Sequence, residues 1–159
     1  MTHRIHATVD PTGCRLDAVT PKGHSISTDT EPPEGRDTAA SPKETLLAAL
    51  AGCTAADVTS ILRKKRQTAT SYEIEVTAEA APEPPTVFTT ITVEHRVAGD
   101  VEPEALRRSI ELSVTKYCPV NAMLATSVSI EHRYRLVGRD GAEHAAVVAM
   151  VGPDGAHVV

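Results

Sequence analysis

Hydrophobic residues change their spacing several times along the chain, and the longest regular stretch predicts a helix. Between Leu46 and Leu62 apolar residues recur at every third or fourth position, which is the spacing of one helical face. The start is marked by Ser41 as N-cap, by Pro42 at the first helical position and by Glu44 at the third, the pattern of a capping box. We therefore expect a helix of about 23 residues, about 35 Å long.

The first half of this helix, residues 45–56, is almost wholly apolar or small. A helix that is apolar on every side is normally buried on every side, so we expect it to run through the middle of the structure. Gly52 lies within it, although glycine costs about 1 kcal/mol relative to alanine in a helix interior. A close approach by another element or by a substrate is therefore expected at Gly52.

Alternating apolar and polar residues predict strands before and after the helix. A second helix is expected to begin near Pro103 and a short third helix at Pro119, because proline suits the first helical position. Residues 152–159 are expected to be frayed. This order of elements is typical of an α+β fold with an antiparallel sheet rather than of alternating βαβ units. The predicted strands are residues 4–9, 15–19, 72–77, 87–95, 127–137 and 145–151.

Composition bears on how the core can be completed. Of the 159 residues, 41% are hydrophobic but only 3% are aromatic, with no Trp and one Phe. A core of small aliphatic side chains gains its burial from many small contributions, which is easier when two chains share it. We expect one domain over 1–159, with N-terminal strands and a loop (1–40), a core (41–137) and a C-terminal extension (138–159).

The charge pattern argues against a nucleic-acid partner. The formal net charge is −5, whereas nucleic-acid binders usually carry a clustered basic excess. The one basic cluster, residues 63–66, ends the predicted long helix, where cations stabilise the helix dipole. The N-terminus lacks the apolar region of a signal peptide, and no apolar run approaches the roughly 20 residues that span a bilayer. We therefore expect a cytoplasmic protein without a membrane partner.

Several familiar catalytic and metal-binding motifs are absent from the sequence. There is no G-x-S-x-G elbow, P-loop, G-x-G-x-x-G, H-E-x-x-H or C-x-x-C. The seven histidines are scattered and none pairs with another at ligand spacing on a helix, so neither a metal nor a cofactor is expected. His95 and His132 lie within predicted strands, where exposure on one side is their expected environment.

The three cysteines are the remaining candidates for chemistry, because an odd number in a reducing compartment argues against a structural disulfide framework. Cys53, in the apolar helix, is either a small core residue or a reactive thiol. Cys118 precedes Pro119 and would be the N-cap of the third helix, where the helix dipole lowers a thiol pKa. A helix break with an incidental thiol is the alternative. Cys14, beside a turn in a surface-like strand, is interpreted as a bystander.

Two stretches of the sequence resemble the OsmC/Ohr family. The first reads SPKETLLAALAGC over residues 41–53 and the second reads KYCPV over residues 116–120, in the order that the family has them. Asp57 and Lys64 fit the helix between, and the resemblance covers residues 41–137. It implies an OsmC-like fold, in which antiparallel sheets wrap around the long central helices of an intertwined homodimer.

The resemblance also implies an activity, that of a thiol-dependent peroxidase acting on organic hydroperoxides or hydrogen peroxide in oxidative-stress defence. Cys53 would attack the peroxide and Cys118 would resolve the sulfenic acid to a disulfide. A dithiol reductant of the lipoyl or thioredoxin type would then reduce that disulfide. The family also uses an N-terminal arginine to stabilise the thiolate, and Arg36, or else Arg15, is the candidate for that role.

The sequence departs from the family pattern at one place in the first motif. Peroxidases of the family carry a glutamate directly after the proline, where this chain has Lys43, and Glu44 follows one residue later. A shift of one residue is a rotation of about 100° on a helix, so the capping role of Glu44 competes with a catalytic one. The alternative function is a non-catalytic dimer that binds a small apolar or thiol-bearing ligand in the same pocket.

Overall fold

In a computed structural model, which describes residues 2–159, the long predicted helix is present as α1, Pro42–Lys64. The backbone N–H of Ser41 donates to Oε2 of Glu44 (2.7 Å), and the N–H of Glu44 donates to Oγ of Ser41 (3.2 Å), so the predicted capping box is confirmed. At the other end Arg66 adopts the left-handed conformation (φ 58°), and the N–H of Gln67 returns to a helix carbonyl 3.0 Å away. Local sequence therefore sets both ends of α1.

The described chain forms two units, one up to Ala48 and one over Ala49–Val159, with the boundary inside α1. The α+β class is confirmed. The first unit contains β1 (His6–Val9), β2 (Leu16–Val19) and β3 (Ser25–Thr28). The second contains β4 (Thr68–Ala80), β5 (Phe88–Asp100), α2 (Pro103–Leu112), a π-helical turn (Ser113–Tyr117), α3 (Pro119–Leu124), β6 (Ser129–Gly138), β7 (Glu143–Gly152) and β8 (Gly155–Val158).

The first unit is a three-stranded antiparallel sheet in the order β1-β2-β3, followed by a loop. Asp29, which is buried, organises the loop. Its carboxylate accepts hydrogen bonds from the N–H and Oγ1 of Thr38 (3.0 and 2.7 Å) and from the N–H of Thr30 (2.8 Å). Those hydrogen bonds, the ones from Thr38 first, lower the pKa of Asp29 to about 2, because they stabilise the ionised carboxylate.

The second unit contains a five-stranded sheet in the order β4-β5-β6-β7-β8. All its neighbouring strands are antiparallel except β5 and β6, which are parallel, with Val93 opposite His132. The sheet is therefore mixed rather than purely antiparallel, because α2, the π-helical turn and α3 form the long crossover that a parallel pair needs. The expectation of a frayed C-terminus is also wrong, because β8 pairs with β7.

The core of the second unit lies on one face of this sheet. Hydrophobic side chains at alternate positions of β5 and β6 are almost completely buried, and α2 adds two more from the helical side. The low aromatic content is visible here, since this core consists mainly of aliphatic side chains. Its members include Ile91, Val93, Val97, Ile130, Leu136, Leu106 and Ile110.

Helix α1 is less buried than its composition predicts. Its buried residues are Leu50, Thr54, Val58 and Leu62, a single stripe with one residue per turn, while Leu46 is 40% exposed. Within its most apolar 18-residue window only 22% of the residues are buried. The expectation of burial on every side is thus not met within one chain.

The structure bears on two further expectations about α1. Its mean hydropathy of 1.6 over 18 residues makes it long and apolar enough to cross a bilayer by length and composition, although core helices of soluble proteins have the same properties. At Gly52 the space that a Cβ would occupy is open, because apart from the adjacent residues and the surrounding turn of helix backbone no atom of the described chain lies within 4 Å. No element of the same chain therefore approaches Gly52 closely.

Candidate active site

The segment that carries Cys118 departs from regular helix twice. After α2 the chain widens into the π-helical turn, and the N–H of Cys118 donates to the carbonyl of Ser113 (2.8 Å). Cys118 itself is extended (φ −76°, ψ 104°), as expected for a residue before proline, and Pro119 begins α3. Single π-helical turns of this kind are frequently found at functional sites.

The predicted N-cap position of Cys118 is confirmed, but its expected effect on the thiol is wrong. The backbone N–H of Asn121 donates to Sγ of Cys118 at 3.3 Å, which is the geometry of a cap. The side chain is only 2% exposed, however, and burial raises the pKa of the Cys118 thiol. A hydrogen bond to Cys53 raises the pKa further, and the Asn121 N–H offsets only part of the increase. Burial therefore favours the protonated form of the Cys118 thiol.

Cys53 and Cys118 meet, although they are 65 residues apart. Their Sγ atoms lie 2.7 Å apart, with the Cys118 thiol as the donor towards Cys53, and both residues are free thiols. Cys53 is half-buried, whereas Cys118 is buried. Since a disulfide bond has an S–S length of about 2.05 Å, the pair can be joined with only a small movement. Cys14 is exposed and belongs to the other unit.

Asp57 completes this cluster from one turn further along α1. One of its carboxylate oxygens and the sulfurs of Cys53 and Cys118 all lie within 4.8 Å of one another. The hydroxyl of Ser113 donates to Oδ2 of Asp57 at 3.0 Å and so fixes the carboxylate on the side of the thiols. Sequence reasoning assigned no role to Asp57. The signal available was its spacing, because residues i and i+4 share a helical face.

Two thiols and a carboxylate are also a donor set that zinc accepts. With Zn–S distances of about 2.3 Å, however, two sulfurs of a tetrahedral site are about 3.7 Å apart. The sulfurs of Cys53 and Cys118 are 2.7 Å apart, so they cannot both ligate one such ion in this arrangement. The geometry suits bond formation between the sulfurs better than it suits metal binding.

Comparison with known proteins assigns the chain to a family. The family profile described as "OsmC-like protein" matches residues 35–133, more than half of the chain. Protein YhfA of Escherichia coli is 41% identical over 116 residues, which are 72% of this chain and 84% of YhfA. The chain belongs to the OsmC-like protein family. Both cysteines of the cluster lie within the matched region.

Solved structures of this family share the fold. An OsmC-like protein from Mycoplasma pneumoniae superimposes with a TM-score of 0.73 at 18% identity, covering 86% of this chain and 97% of that one. An organic hydroperoxide resistance protein OsmC from Legionella pneumophila, also described as a predicted redox protein, gives a TM-score of 0.62 at 12% identity, covering 83% and 95%. At these identities the likeness concerns the fold alone.

In this OsmC-like chain the predicted supporting charges lie in the first unit. Arg36 is 3.5 Å from the carboxylate of Asp10 and donates to Oγ1 of Thr12 at 3.3 Å. Arg15 forms an ion pair with Asp17. The carboxylate of Glu44 is occupied by the capping box, and the hydrogen bonds from Ser41 lower its pKa. The catalytic roles of Arg36 and Glu44 stay predictions.

A chain of buried polar groups lies behind Cys118 and was missed in the sequence. The side-chain amide of Asn121 donates to the carbonyl of Val114 at 3.1 Å, so its oxygen accepts from Nε2 of His132 at 2.9 Å. The imidazole of His132 therefore anchors the residue whose backbone N–H caps Cys118. Asn121 is pinned from two sides.

His132 is followed by His95, with ring centroids 6.1 Å apart, and the hydroxyl of Tyr72 is 2.6 Å from Nδ1 of His95. Both histidines are 0% exposed, so the expectation of one-sided exposure is wrong. Burial lowers the pKa of each imidazole to about 3, because the charged form loses its hydration, and both rings are neutral. Strand alternation placed them on the core face together with Val93 and Ile130, and that alternation was the available signal.

Proposed function

We propose that this OsmC-like protein is a thiol-dependent peroxidase that reduces organic hydroperoxides, hydrogen peroxide or both, through Cys53 and Cys118. The observation that carries the proposal is the sulfur pair, 2.7 Å apart at the junction of α1 and the π-helical turn. Family membership supports it, because relatives are described as organic hydroperoxide resistance proteins.

The environments of the two thiols support different roles. Cys118 is buried and protonated, and its thiol points at Sγ of Cys53 as a hydrogen-bond donor. Cys53 is the more accessible of the two thiols, so a peroxide can reach its sulfur more easily. We therefore assign peroxide attack to Cys53 and resolution to Cys118.

The proposed reaction proceeds in balanced steps. The Cys53 thiolate attacks the O–O bond, so that a sulfenic acid forms on Cys53 and an alcohol (or water) leaves after taking up a proton. Cys118 then displaces the hydroxyl group from that sulfur, giving a disulfide and water. An external dithiol of the lipoyl or thioredoxin type reduces the disulfide by exchange and is itself oxidised.

We also propose that the working protein is a homodimer in the cytoplasm. The supporting observation is α1, which exposes most of an apolar helix although its sequence is suited to burial. A second copy of the chain would cover that surface, and it would bring a second α1 beside Gly52, where the space is open.

A stopped-flow experiment tests the peroxidase proposal. The reduced protein is mixed with cumene hydroperoxide or with hydrogen peroxide, and the loss of thiols and of peroxide is followed. We expect one Cys53–Cys118 disulfide per peroxide consumed, with Cys14→Ser behaving like wild type. No thiol loss with either oxidant would reject the activity. Peptide mapping that finds Cys14 in the oxidised pair would reject the assignment of residues.

One observation favours the second candidate, a non-catalytic dimer that binds a small apolar or thiol-bearing ligand. The glutamate that family peroxidases carry is replaced by Lys43, and the neighbouring Glu44 is engaged by Ser41. Binding of a small apolar thiol, measured by calorimetry with the reduced protein, together with no consumption of peroxide, would favour this candidate.

A further inference from the structure

We infer that Asp57 is a catalytic proton acceptor for Cys118, and that it returns the proton to the group that leaves when the disulfide forms. The inference rests on the proposed function, since it concerns the same pair of thiols, and it adds a residue to which sequence reasoning gave no role. Its basis is the cluster of one carboxylate oxygen and two sulfurs within 4.8 Å, held in place by Ser113.

The resolving step needs a base because Cys118 is the wrong species for nucleophilic attack. A thiolate, not a thiol, attacks sulfur, and burial raises the pKa of the Cys118 thiol. When Cys53 has become a sulfenic acid, the proton on Cys118 must leave before a bond between the two sulfurs can form. A base beside Cys118 that removes this proton makes the step faster than the small thiolate fraction alone would allow.

Asp57 is placed to be that group. Its oxygen lies within 4.8 Å of the sulfur of Cys118, a span that one bridging water molecule or a small rotation of the side chain can close. Ser113 donates to Oδ2, so the hydrogen bond orients the carboxylate and leaves Oδ1 as an acceptor. Because Ser113 and Cys118 are joined by a backbone hydrogen bond, the π-helical turn fixes base and thiol relative to each other.

Other ionisable groups near Cys118 are engaged elsewhere. His132 bonds to the side chain of Asn121, not to the thiol. Glu111, on α2, pairs with Arg107 at 3.4 Å. The ammonium group of Lys116 lies 5.4 Å from the ring centroid of Tyr117. The carboxylate of Asp57 is grouped with the two thiols and accepts its hydrogen bond from Ser113.

The proton balance closes within the cluster. The Cys118 thiol gives its proton to the Asp57 carboxylate, and the resulting thiolate attacks the sulfur of the Cys53 sulfenic acid. The S–S bond forms as the S–O bond breaks, and the departing hydroxide takes the proton from Asp57 and leaves as water. Asp57 is then ionised again, so the step releases no net proton.

A peroxide-free reaction isolates the proposed role. In a Cys14→Ser background, Cys53 reacts with Ellman's reagent to give a mixed disulfide, and Cys118 then expels a second thionitrobenzoate anion. That leaving group needs no proton, so the rate of the second release reports how easily Cys118 becomes a thiolate. The rate is measured across pH for wild type, for Asp57→Asn and for Asp154→Asn, a matched control on an exposed turn.

We expect Asp57→Asn to slow the second release about 100-fold near neutral pH, the low end of what general-base catalysis contributes. The deficit should shrink as pH rises, because Cys118 then ionises without help, and Asp154→Asn should match wild type. Ser113→Ala should fall between them. Equal rates for wild type and Asp57→Asn at all pH values would overturn the inference, and so would a deficit that pH does not change.

Two further outcomes have defined meanings. If a chelator slows wild type to the rate of Asp57→Asn, the carboxylate acts as a metal ligand and the inference fails. If the pH-dependent deficit is found in a protein that consumes no peroxide, the role of Asp57 as proton acceptor for Cys118 stands and the peroxidase proposal fails, since this assay contains no peroxide.

Discussion

The two sulfurs of the cluster are presented by segments of opposite character. Around Cys53 the chain is regular α-helix, α1, with small apolar neighbours and only one buried residue per turn. Around Cys118 it is irregular, with a π-helical turn, an extended residue before proline and a short capped helix. The regular segment leaves its thiol accessible, and the irregular one buries its thiol and restrains it by hydrogen bonds.

This difference fits a division of labour between the thiols. A thiol that meets a peroxide from outside needs access, whereas a thiol that captures the sulfenic acid needs only to reach its neighbour before further oxidation occurs. Cys118 has a hydrogen bond from Asn121, and Asn121 is in turn anchored by His132. No comparable set of polar anchors surrounds Cys53 in the described chain, where the sulfur of Cys118 is its hydrogen-bond partner.

Replacing either cysteine by serine is expected to have the largest effect, and the two replacements should affect peroxide reduction differently. Cys53→Ser should abolish peroxide reduction, because a serine hydroxyl is a far weaker nucleophile at neutral pH. Cys118→Ser should permit one turnover and then stop with a sulfenic acid on Cys53. Single-turnover loss of peroxide measures both variants. If Cys118→Ser is inactive in the first turnover while Cys53→Ser still reacts, the assignment of roles is reversed.

The second largest effect is expected from acid, which should destabilise the protein through the buried histidine behind Cys118. The pKa of His132 is about 3 in the folded protein against an ordinary value of 6.5, so folding favours the neutral ring. Its contribution to stability is complete above about pH 6.5 and is lost as pH falls towards 3, at about 1.4 kcal/mol per pH unit. Urea unfolding between pH 7 and pH 4, at about one-unit steps, measures the slope.

The variant His132→Gln should reduce that slope, because one buried imidazole no longer has to be charged on unfolding in acid. His144→Gln, on an exposed part of β7, is the matched control and should leave the slope unchanged. Should His132→Gln and wild type lose stability with acid at the same rate, the buried histidine would not be the cause.

A charge introduced on the exposed side of α1 should weaken the proposed dimer and leave the surroundings of Cys118 unchanged. Leu46 is 40% exposed in the single chain, so burying the rest of its side chain at an interface is favourable by only about 0.6–1.2 kcal/mol, but a lysine there would also place an unpaired charge in an apolar contact. Leu46→Lys should therefore raise the dissociation constant of the proposed dimer at least tenfold, measured by sedimentation over a range of concentrations. Val87→Lys, at a residue 59% exposed, is the control. A wild-type chain that sediments as a stable monomer would contradict the dimer.

The smallest effect is expected at the start of α1. Glu44→Ala removes the side chain that accepts from the N–H of Ser41, so the free energy of unfolding should fall slightly, because one of the two reciprocal hydrogen bonds of the capping box is lost. The rate of peroxide reduction should change little if capping is the whole role of Glu44. A loss of activity that exceeds the loss of stability would instead restore the catalytic role.

Local features were predicted from the sequence because their causes are local. The capping box at Ser41 and the extended conformation of Cys118 depend on residues within one turn, so the pattern of neighbours is sufficient. The motif that contains Cys53 is likewise a run of neighbouring residues, so the resemblance to the family was visible in the sequence. The α+β class followed from the order of elements and is confirmed.

Only the tertiary structure determined what depends on distant parts of the chain. The 2.7 Å contact between Cys53 and Cys118 requires α1 and the π-helical turn to meet, and it also brings Asp57 to the thiols. The raised pKa of Cys118 reverses the expectation from its helix terminus, because burial outweighs the dipole. The parallel pairing of β5 with β6 depends on where the intervening helices pack. Periodicity records which residues face inward, but burial and proximity arise from contacts between segments far apart in sequence.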